Sequence, residues 1–568
     1  MLKYFLTTLF TGIVAFFYQS GLLYSPKPTD ITDRKYRAMV VCAHPEAAKV
    51  GQKILAKGGN ALDAAVAVQF ALAVVFPVAG NLGGGGFMVM RRKDGNVLTL
   101  DYREKAPAAA SKDMYLDAEK KVIPDLSLYG HLAAGVPGSV AGIFESHAKL
   151  GKLPMKTLIQ PAIELAEKGF LLTAKDAEML NNARSRFKKY NTVGNAFLAD
   201  TFVAGKLFKQ PDLARTLRLI RDKGKKGFYE GETADKIVGE MHRGEGIMTY
   251  ADLKNYTAKW REPITTAYKG YEITSMAPPS SGGIALTQLL KMIEPFPLAK
   301  NGQHSPEVTH LMVEAEKRAY ADRAKHLGDK DFYPVPVQGL LKNEYLASRM
   351  KDFNPAKATP SDAIQAGIPV AKEHEETTHF SVVDAEGNAV SVTTTLNNSF
   401  GSSVVVGGAG FILNDEMDDF SSKPNTPNMY GLIGSEANAI QPEKRMLSSM
   451  TPTIVSKNGK LFMVVGTPGG STIITSVFQT ILNVIEHGMT MQESVSSPRF
   501  HHQWLPDKIM YEKGTFTPET LKTLQAMGHT LEQRPGASGR VDAILVKKDG
   551  FLQGGADPRG DDKWLGVE

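Results

Sequence analysis

A chain of 568 residues with 42% hydrophobic and 22% charged side chains has enough apolar material for a substantial core and more than one domain, which excludes global disorder. Its 66 basic and 60 acidic residues are spread without a long run of like charge, so the net charge of +6 points to neither a nucleic-acid nor an acidic-membrane partner. Cys42 is the only cysteine, so no intrachain disulfide can form, and no Cys/His cluster has the spacing of a zinc site.

At the start, Lys3 precedes an apolar stretch from Tyr4 to Tyr18 that matches the hydrophobic region of an export signal. It is shorter than the ~20 apolar residues of a spanning helix. No small-x-small cleavage site is obvious, so residues 1–25 read as a cleaved signal or an N-terminal anchor. Either way the body is exported, to the periplasm or outside the cell.

Beyond it, apolar helical stretches alternate with short β-rich ones, without internal repeats, which predicts mixed α and β layers. Asn60 is placed to cap a helix through ALDAAVAVQFALAVVF that Pro77 stops. The four glycines that follow, Gly83 to Gly86, precede FMVM without a GK[ST] signature; they predict close backbone approach beside a buried strand rather than a phosphate loop. Helical patterns continue at Met155 to Lys168, Asp212 to Lys223 and Thr309 to Leu327, the last with many charges assigned to its outer face.

From Lys351 to Glu376 three prolines, small residues and an acidic end predict a surface loop or linker. Next, Phe380, Val382, Val390 and Val392 alternate around Asp384-Ala-Glu-Gly-Asn388, a hairpin pattern in which Gly387 supplies positive φ. Thr377 thus opens a strand directly after a segment that can be cut. Further on, LFMVVG reads as a strand, TPGGS as a turn and TIITSVFQTILNVIEHG as a helix, with Gly469 and Gly470 at the corner.

There is no G-x-S-x-G elbow, phosphate loop or H-E-x-x-H zinc motif, and His501 and His502 are adjacent and so read as an ordinary pair. A threonine hydroxyl needs a base beside it, and at a chain terminus its own α-amine, which titrates near ~7.7 to 8.0, fills that role. Pattern alone leaves Thr377 one strand-start threonine among many.

A resemblance singles it out. Gly58 to Val68, Thr377 to Asp384, Thr395-Leu-Asn397, Leu413 to Phe420, Leu447 to Met450 and Pro468-Gly-Gly470 resemble, in order, the motifs of the γ-glutamyltransferase family, from about Met39 to the C-terminus. The resemblance implies an α+β fold, the four-layer αββα sandwich of the N-terminal nucleophile hydrolases, built from two chains of one self-cleaved precursor. The cut would fall between Glu376 and Thr377, giving a large subunit, 26–376, and a small subunit, 377–568, that stay together as a heterodimer. Thr377 would attack the γ-amide of glutathione or another γ-glutamyl compound and pass the glutamyl group to water or to an amino-acid or peptide acceptor. The resemblance implies no cofactor and no metal.

It also implies roles for other residues. The N–H groups of Gly469 and Gly470 would hold the oxyanion, and glycines at a strand-to-helix corner suit that task independently. Arg103, Ser448 and Ser449 would hold the donor's α-carboxylate; Asn397, Glu416 and Asp419 its α-ammonium; Thr395 would position Thr377. The stretch between Asp419 and Ser448 resembles a lid, with Tyr430 as its gate. Asp415-Glu416 stands where other members carry Asn-Gln, and Thr394 where an aromatic residue is common, departures that bear on substrate choice. Rival readings are an acylase for glutaryl side chains, a relative that cuts poly-γ-glutamate, and an unprocessed exported protein that only binds γ-glutamyl peptides.

Overall fold

The computed structural model describes residues 34–365, 377–423 and 434–568; the export segment, Glu376 and Tyr430 lie outside them. Two antiparallel sheets organise the unit Tyr36–Val567. In chain order the strands are β1 (Ala38–Cys42), β2 (Gly85–Arg91), β3 (Val97–Asp101), β4 (Lys259–Arg261), β5 (Ile264–Tyr268), β6 (Tyr271–Ser275), β7 (Thr378–Val383), β8 (Ala389–Thr395), β9 (Thr453–Lys457), β10 (Lys460–Gly466), β11 (Asp542–Val546), β12 (Leu552–Gly555) and β13 (Lys563–Val567). One sheet has the order β13-β1-β7-β8-β2-β3-β4 and the other β12-β11-β10-β9-β6-β5.

Side-chain alternation makes four layers of these two sheets. Met39, Val41, Val89 and Val383 from the first meet Ile454, Val464 and Ile544 from the second. On the first sheet's other face Val40, Met88, Phe380, Val382 and Val392 pack with helices α1 (Pro45–Ala56), α2 (Ala61–Val75) and α3 (Met155–Lys168). On the second sheet's outer face Ile273, Val455, Met463 and Val465 pack with α4 (Gly282–Ile293), α5 (Pro306–His326) and α6 (Ile473–Ile485). This is the αββα sandwich.

Local expectations explain how the layers form. Asn60 caps α2 through a capping box with Asp63, and α2 is buried all round because other helices and a sheet enclose it. The hairpin turns with Gly387 at φ 87° and pairs Thr378 with Thr394, while β7 is covered on its other edge by β1.

One expectation needs correction. The charges of α5 do not face solvent: Glu314, Lys317, Arg318, Asp322 and Arg323 are all buried. The segment that reads as a linker lies across this helix, and its polar backbone must find partners there. Thr359 N–H donates to Glu314 at 2.9 Å, Lys317 Nζ donates to the Thr359 carbonyl at 2.7 Å, and Arg318 Nε to that of Arg349 at 2.6 Å. The stretch from Lys351 is therefore anchored at least as far as Ile364, which is itself buried.

Candidate active site

The hairpin register brings the end of β8 beside the start of β7, so Thr377 Oγ1 lies 3.4 Å from Thr395 Oγ1. The Asn397 N–H donates to Thr395 Oγ1 at 2.7 Å. A hydroxyl has one hydrogen and two acceptor sites, so the Thr395 oxygen can hold the Asn397 N–H and the Thr377 hydroxyl together. The glycine run is what admits this strand end: a Cβ on Gly84 would lie 2.0 Å from the Thr395 carbonyl oxygen. Thr377 itself is buried.

A 3-10 turn at Glu416–Asp419 aims both of its terminal acids at Arg103. Arg103 follows β3, where its N–H donates to Asp101 at 2.9 Å and its carbonyl accepts from the Tyr256 hydroxyl at 2.6 Å. Its guanidinium pairs with Glu416 through one nitrogen and with Asp419 through another, which also donates to the Leu447 carbonyl at 3.2 Å. Burial opposes the charge on Arg103, but Glu416, Asp419 and Glu104 outweigh it and keep the guanidinium firmly protonated.

Ser448 and Ser449 close the same cleft. Ser448 Oγ accepts from the Met450 N–H at 3.1 Å, and Ser449 Oγ accepts from Arg323 Nη2 at 3.0 Å. Both oxygens are used as acceptors, which leaves both hydroxyl hydrogens to donate to an anion. Gly470 lines the cleft opposite, in the 3-10 turn Gly470–Thr472 that leads into α6, with Gly469 just before it. Thr377, Thr395, Arg103, Asn397, Glu416, Asp419, Ser448, Ser449 and Gly470 thus line one narrow cleft.

Residues 47–567 match the family model described as Gamma-glutamyltranspeptidase. The chain belongs to the gamma-glutamyltranspeptidase family. A glutathione hydrolase proenzyme of Pseudomonas sp. (strain A14) is 48% identical over 532 residues, 93% of this chain and 92% of that one. The Helicobacter pylori gamma-glutamyltranspeptidase structure superposes with a TM-score of 0.56 at 46% identity, over 57% of this chain and 94% of that one. A cephalosporin acylase structure from Bacillus halodurans reaches 0.82 at 26% identity, over 96% and 100%.

In this member of the family, sequence reasoning passed over two charged residues of the site. Arg323 lies in the helix whose charges looked solvated, yet it is buried, lines the cleft and donates to Ser281 Oγ as well as Ser449. Burial lowers it to about 10, which still leaves it cationic near neutrality. Its signal was the position itself, three residues after Tyr320 on a helix with too many charges for one exposed face. Glu104 follows Arg103 directly and is fully buried, 3.6 Å from the Arg103 guanidinium.

Glu104 gives the site a pH dependence. Burial pushes its carboxyl up to about 8, against the pull of Arg103, while Asp419 and Asp101 push the same way as burial. Folded-state affinity for that proton exceeds unfolded-state affinity, so its contribution favours folding at low pH and is lost as pH rises from about 4.5 towards about 8. Glu104→Gln is therefore expected to lose less Tm than the parent between about pH 5 and about pH 9, measured by thermal unfolding. An equal loss in both proteins contradicts the assignment.

His310, Glu314 and His529 form a second titratable cluster outside the cleft. His310 Nδ1 and His529 Nε2 hydrogen-bond at 2.7 Å, His310 Nε2 meets the Asn354 carbonyl, and Glu314 is taken by Arg318 and Thr359. These bonds tie the Asn354 to Thr359 strap to α5. His501 and His502 are buried and held neutral, chiefly by desolvation. Among the described residues no helix is long and apolar enough to cross a membrane.

Proposed function

We propose that this protein is an exported, self-processing γ-glutamyltransferase and glutathione hydrolase whose nucleophile is Thr377. The observation that carries the reading is the Arg103 guanidinium held between Glu416 and Asp419 in the cleft that contains Thr377. That cation and those acids are the complements of an α-carboxylate and an α-ammonium. A glutamyl donor enters by exchange: its carboxylate takes over Arg103 together with the Ser448 and Ser449 hydroxyls, and its ammonium takes over Glu416 and Asp419, with Asn397 adjoining. Each buried charge then keeps a partner throughout, which spares the desolvation cost of an unpaired ion.

Processing comes first. The Thr377 hydroxyl attacks the Glu376 carbonyl, the acyl group moves from nitrogen to oxygen, and water hydrolyses the ester, freeing the Thr377 amine. In turnover this amine accepts the hydroxyl proton as Oγ1 attacks the donor's γ-carbonyl. The N–H groups of Gly469 and Gly470 stabilise the oxyanion. The leaving amine departs with the proton, and water or an acceptor amine then resolves the γ-glutamyl ester. The large and small subunits would remain one heterodimer because β1 and β2 of the large subunit flank β7 and β8 of the small one in the same sheet. A gating role for Tyr430 belongs to the same proposal but falls outside the described residues.

The similarity to a cephalosporin acylase over almost the whole chain supports a second reading, glutaryl-amide hydrolysis. A glutaryl group has a terminal carboxylate but no ammonium, so its binding would draw Arg103 away and leave Glu416 and Asp419 unanswered. Side-by-side assays of γ-glutamyl and glutaryl anilides are expected to favour the glutamyl compound by at least about 30-fold in kcat/KM, the cost of one truncated buried charge pair, ~2 kcal/mol or more. Faster turnover of the glutaryl compound would overturn the proposal. Asp419→Ala is expected to narrow the ratio.

A further inference from the structure

The corner that carries Gly469 and Gly470 is gripped from two sides by groups outside the cleft's binding set. On one side, Thr467 Oγ1 accepts the Arg540 N–H at 2.8 Å and donates to the Pro468 carbonyl at 2.7 Å, fixing the peptide just before Gly469. The backbone of Gly539 is packed into the same spot: a Cβ on Gly469 would lie 3.0 Å from Gly539 Cα, and a Cβ on Gly539 would lie 2.5 Å from Thr467 Oγ1 and 2.8 Å from the Pro468 oxygen. Both glycines have positive φ, 133° and 74°, so neither contact admits an ordinary side chain. The loop behind is itself held, with Arg499 Nη1 donating to the Ser538 carbonyl at 2.7 Å and Ser476 Oγ donating to it at 3.0 Å. On the other side, the buried Tyr320 hydroxyl of α5 donates to the Ser471 carbonyl.

A peptide plane is rigid, so fixing the carbonyl on one side of a residue fixes the direction of the neighbouring N–H. The Thr467 bond sets the Pro468–Gly469 peptide and hence the Gly469 N–H; the Tyr320 bond restrains the turn just beyond Gly470. We propose that Thr467, Gly539 and Tyr320 are positioning residues that preorganise these two N–H groups towards a tetrahedral oxyanion. The proposal rests on the oxyanion role assigned above to Gly469 and Gly470. Donors held in place before the reaction are worth far more than donors that must turn during it, and loss of alignment near ~1 Å costs up to ~10²-fold.

The test compares affinity for glutamate, a planar ground-state ligand, with affinity for a γ-phosphonate analogue of glutamate, whose tetrahedral anion mimics the intermediate. Thr467→Val and Tyr320→Phe remove one hydroxyl function each, and Thr467→Ser restores the first. In the processed enzyme, both deletion variants are expected to lose about ten- to a hundredfold in kcat and in phosphonate affinity, with KM and glutamate affinity little changed and the serine variant close to the parent. Equal losses for glutamate and phosphonate, or no loss for either, would overturn the brace. A parent enzyme that shows no preference for the phosphonate would instead overturn the oxyanion assignment on which it depends.

Discussion

Thr377→Ala is expected to remain a single chain close to the 61.7 kDa of the full sequence, with no fragment beginning at residue 377 and no amine released from γ-glutamyl substrates. Two functions are lost together because one hydroxyl serves both: it opens the peptide bond that precedes it and then attacks substrate with the amine so liberated as its base. A denaturing gel with intact-mass measurement reads the first loss, and an anilide assay the second. Thr395→Ala provides the contrast. It removes the hydroxyl 3.4 Å from Thr377 Oγ1, with its γ-methyl and the acceptor of the Asn397 N–H, but leaves the nucleophile, so slower processing and slower turnover are expected, with neither abolished. An alanine variant at position 377 that still splits there, or still turns over, would refute the nucleophile.

Arg103→Met is expected to have the largest effect on binding. Its guanidinium is shared by Glu416 and Asp419, so its removal takes away the carboxylate's partner and strands two acids. Truncating one member of such a buried set costs ~2 to 5 kcal/mol, a rise in KM of roughly 30- to several-thousandfold. Stability should fall as well, by ~3 to 5 kcal/mol at most, with protonation of the stranded acids limiting the loss. Arg103→Lys keeps the charge but not the planar fork, and should fall between the two. Steady-state kinetics together with urea unfolding separate these effects; an unchanged KM in the methionine variant would remove Arg103 from the donor site.

Features governed by local chemistry were legible in the sequence. The Asn60 cap, the Gly387 turn, the glycine run beneath β8 and the corner before α6 each rest on a backbone requirement that few residue types satisfy. The order of motifs then pointed to the cleft, where Thr377, Thr395, Arg103, Asn397, Glu416, Asp419, Ser448, Ser449 and Gly470 lie together. Features that depend on tertiary covering were not legible. The charges of α5 have the composition of a solvated face, and only tertiary covering, by the strap from Arg349 to Ile364 on one side and by Ser281, Ser449, His502 and Asp507 elsewhere, converts them into a buried network. Arg323 was lost with that misreading, although its side chain reaches the cleft. Glu104 was hidden differently: beside Arg103 on an extended segment it looks like a surface neighbour, and only the closeness of Gly85 shows how little room surrounds it.

The interleaving of strands has a consequence for the lifetime of the enzyme. With β7 flanked by β1 on one edge and β8 on the other, neither product of a cut before Thr377 holds a complete first sheet. While intact, the precursor finds its fold as a first-order event within one molecule. Once cut, any excursion that separates the pieces turns recovery into a second-order encounter, exposed to aggregation. The mature enzyme would therefore owe its persistence to a slow rate of unfolding rather than to an ability to refold, and its recovery from denaturant should depend on concentration where that of an uncut variant does not.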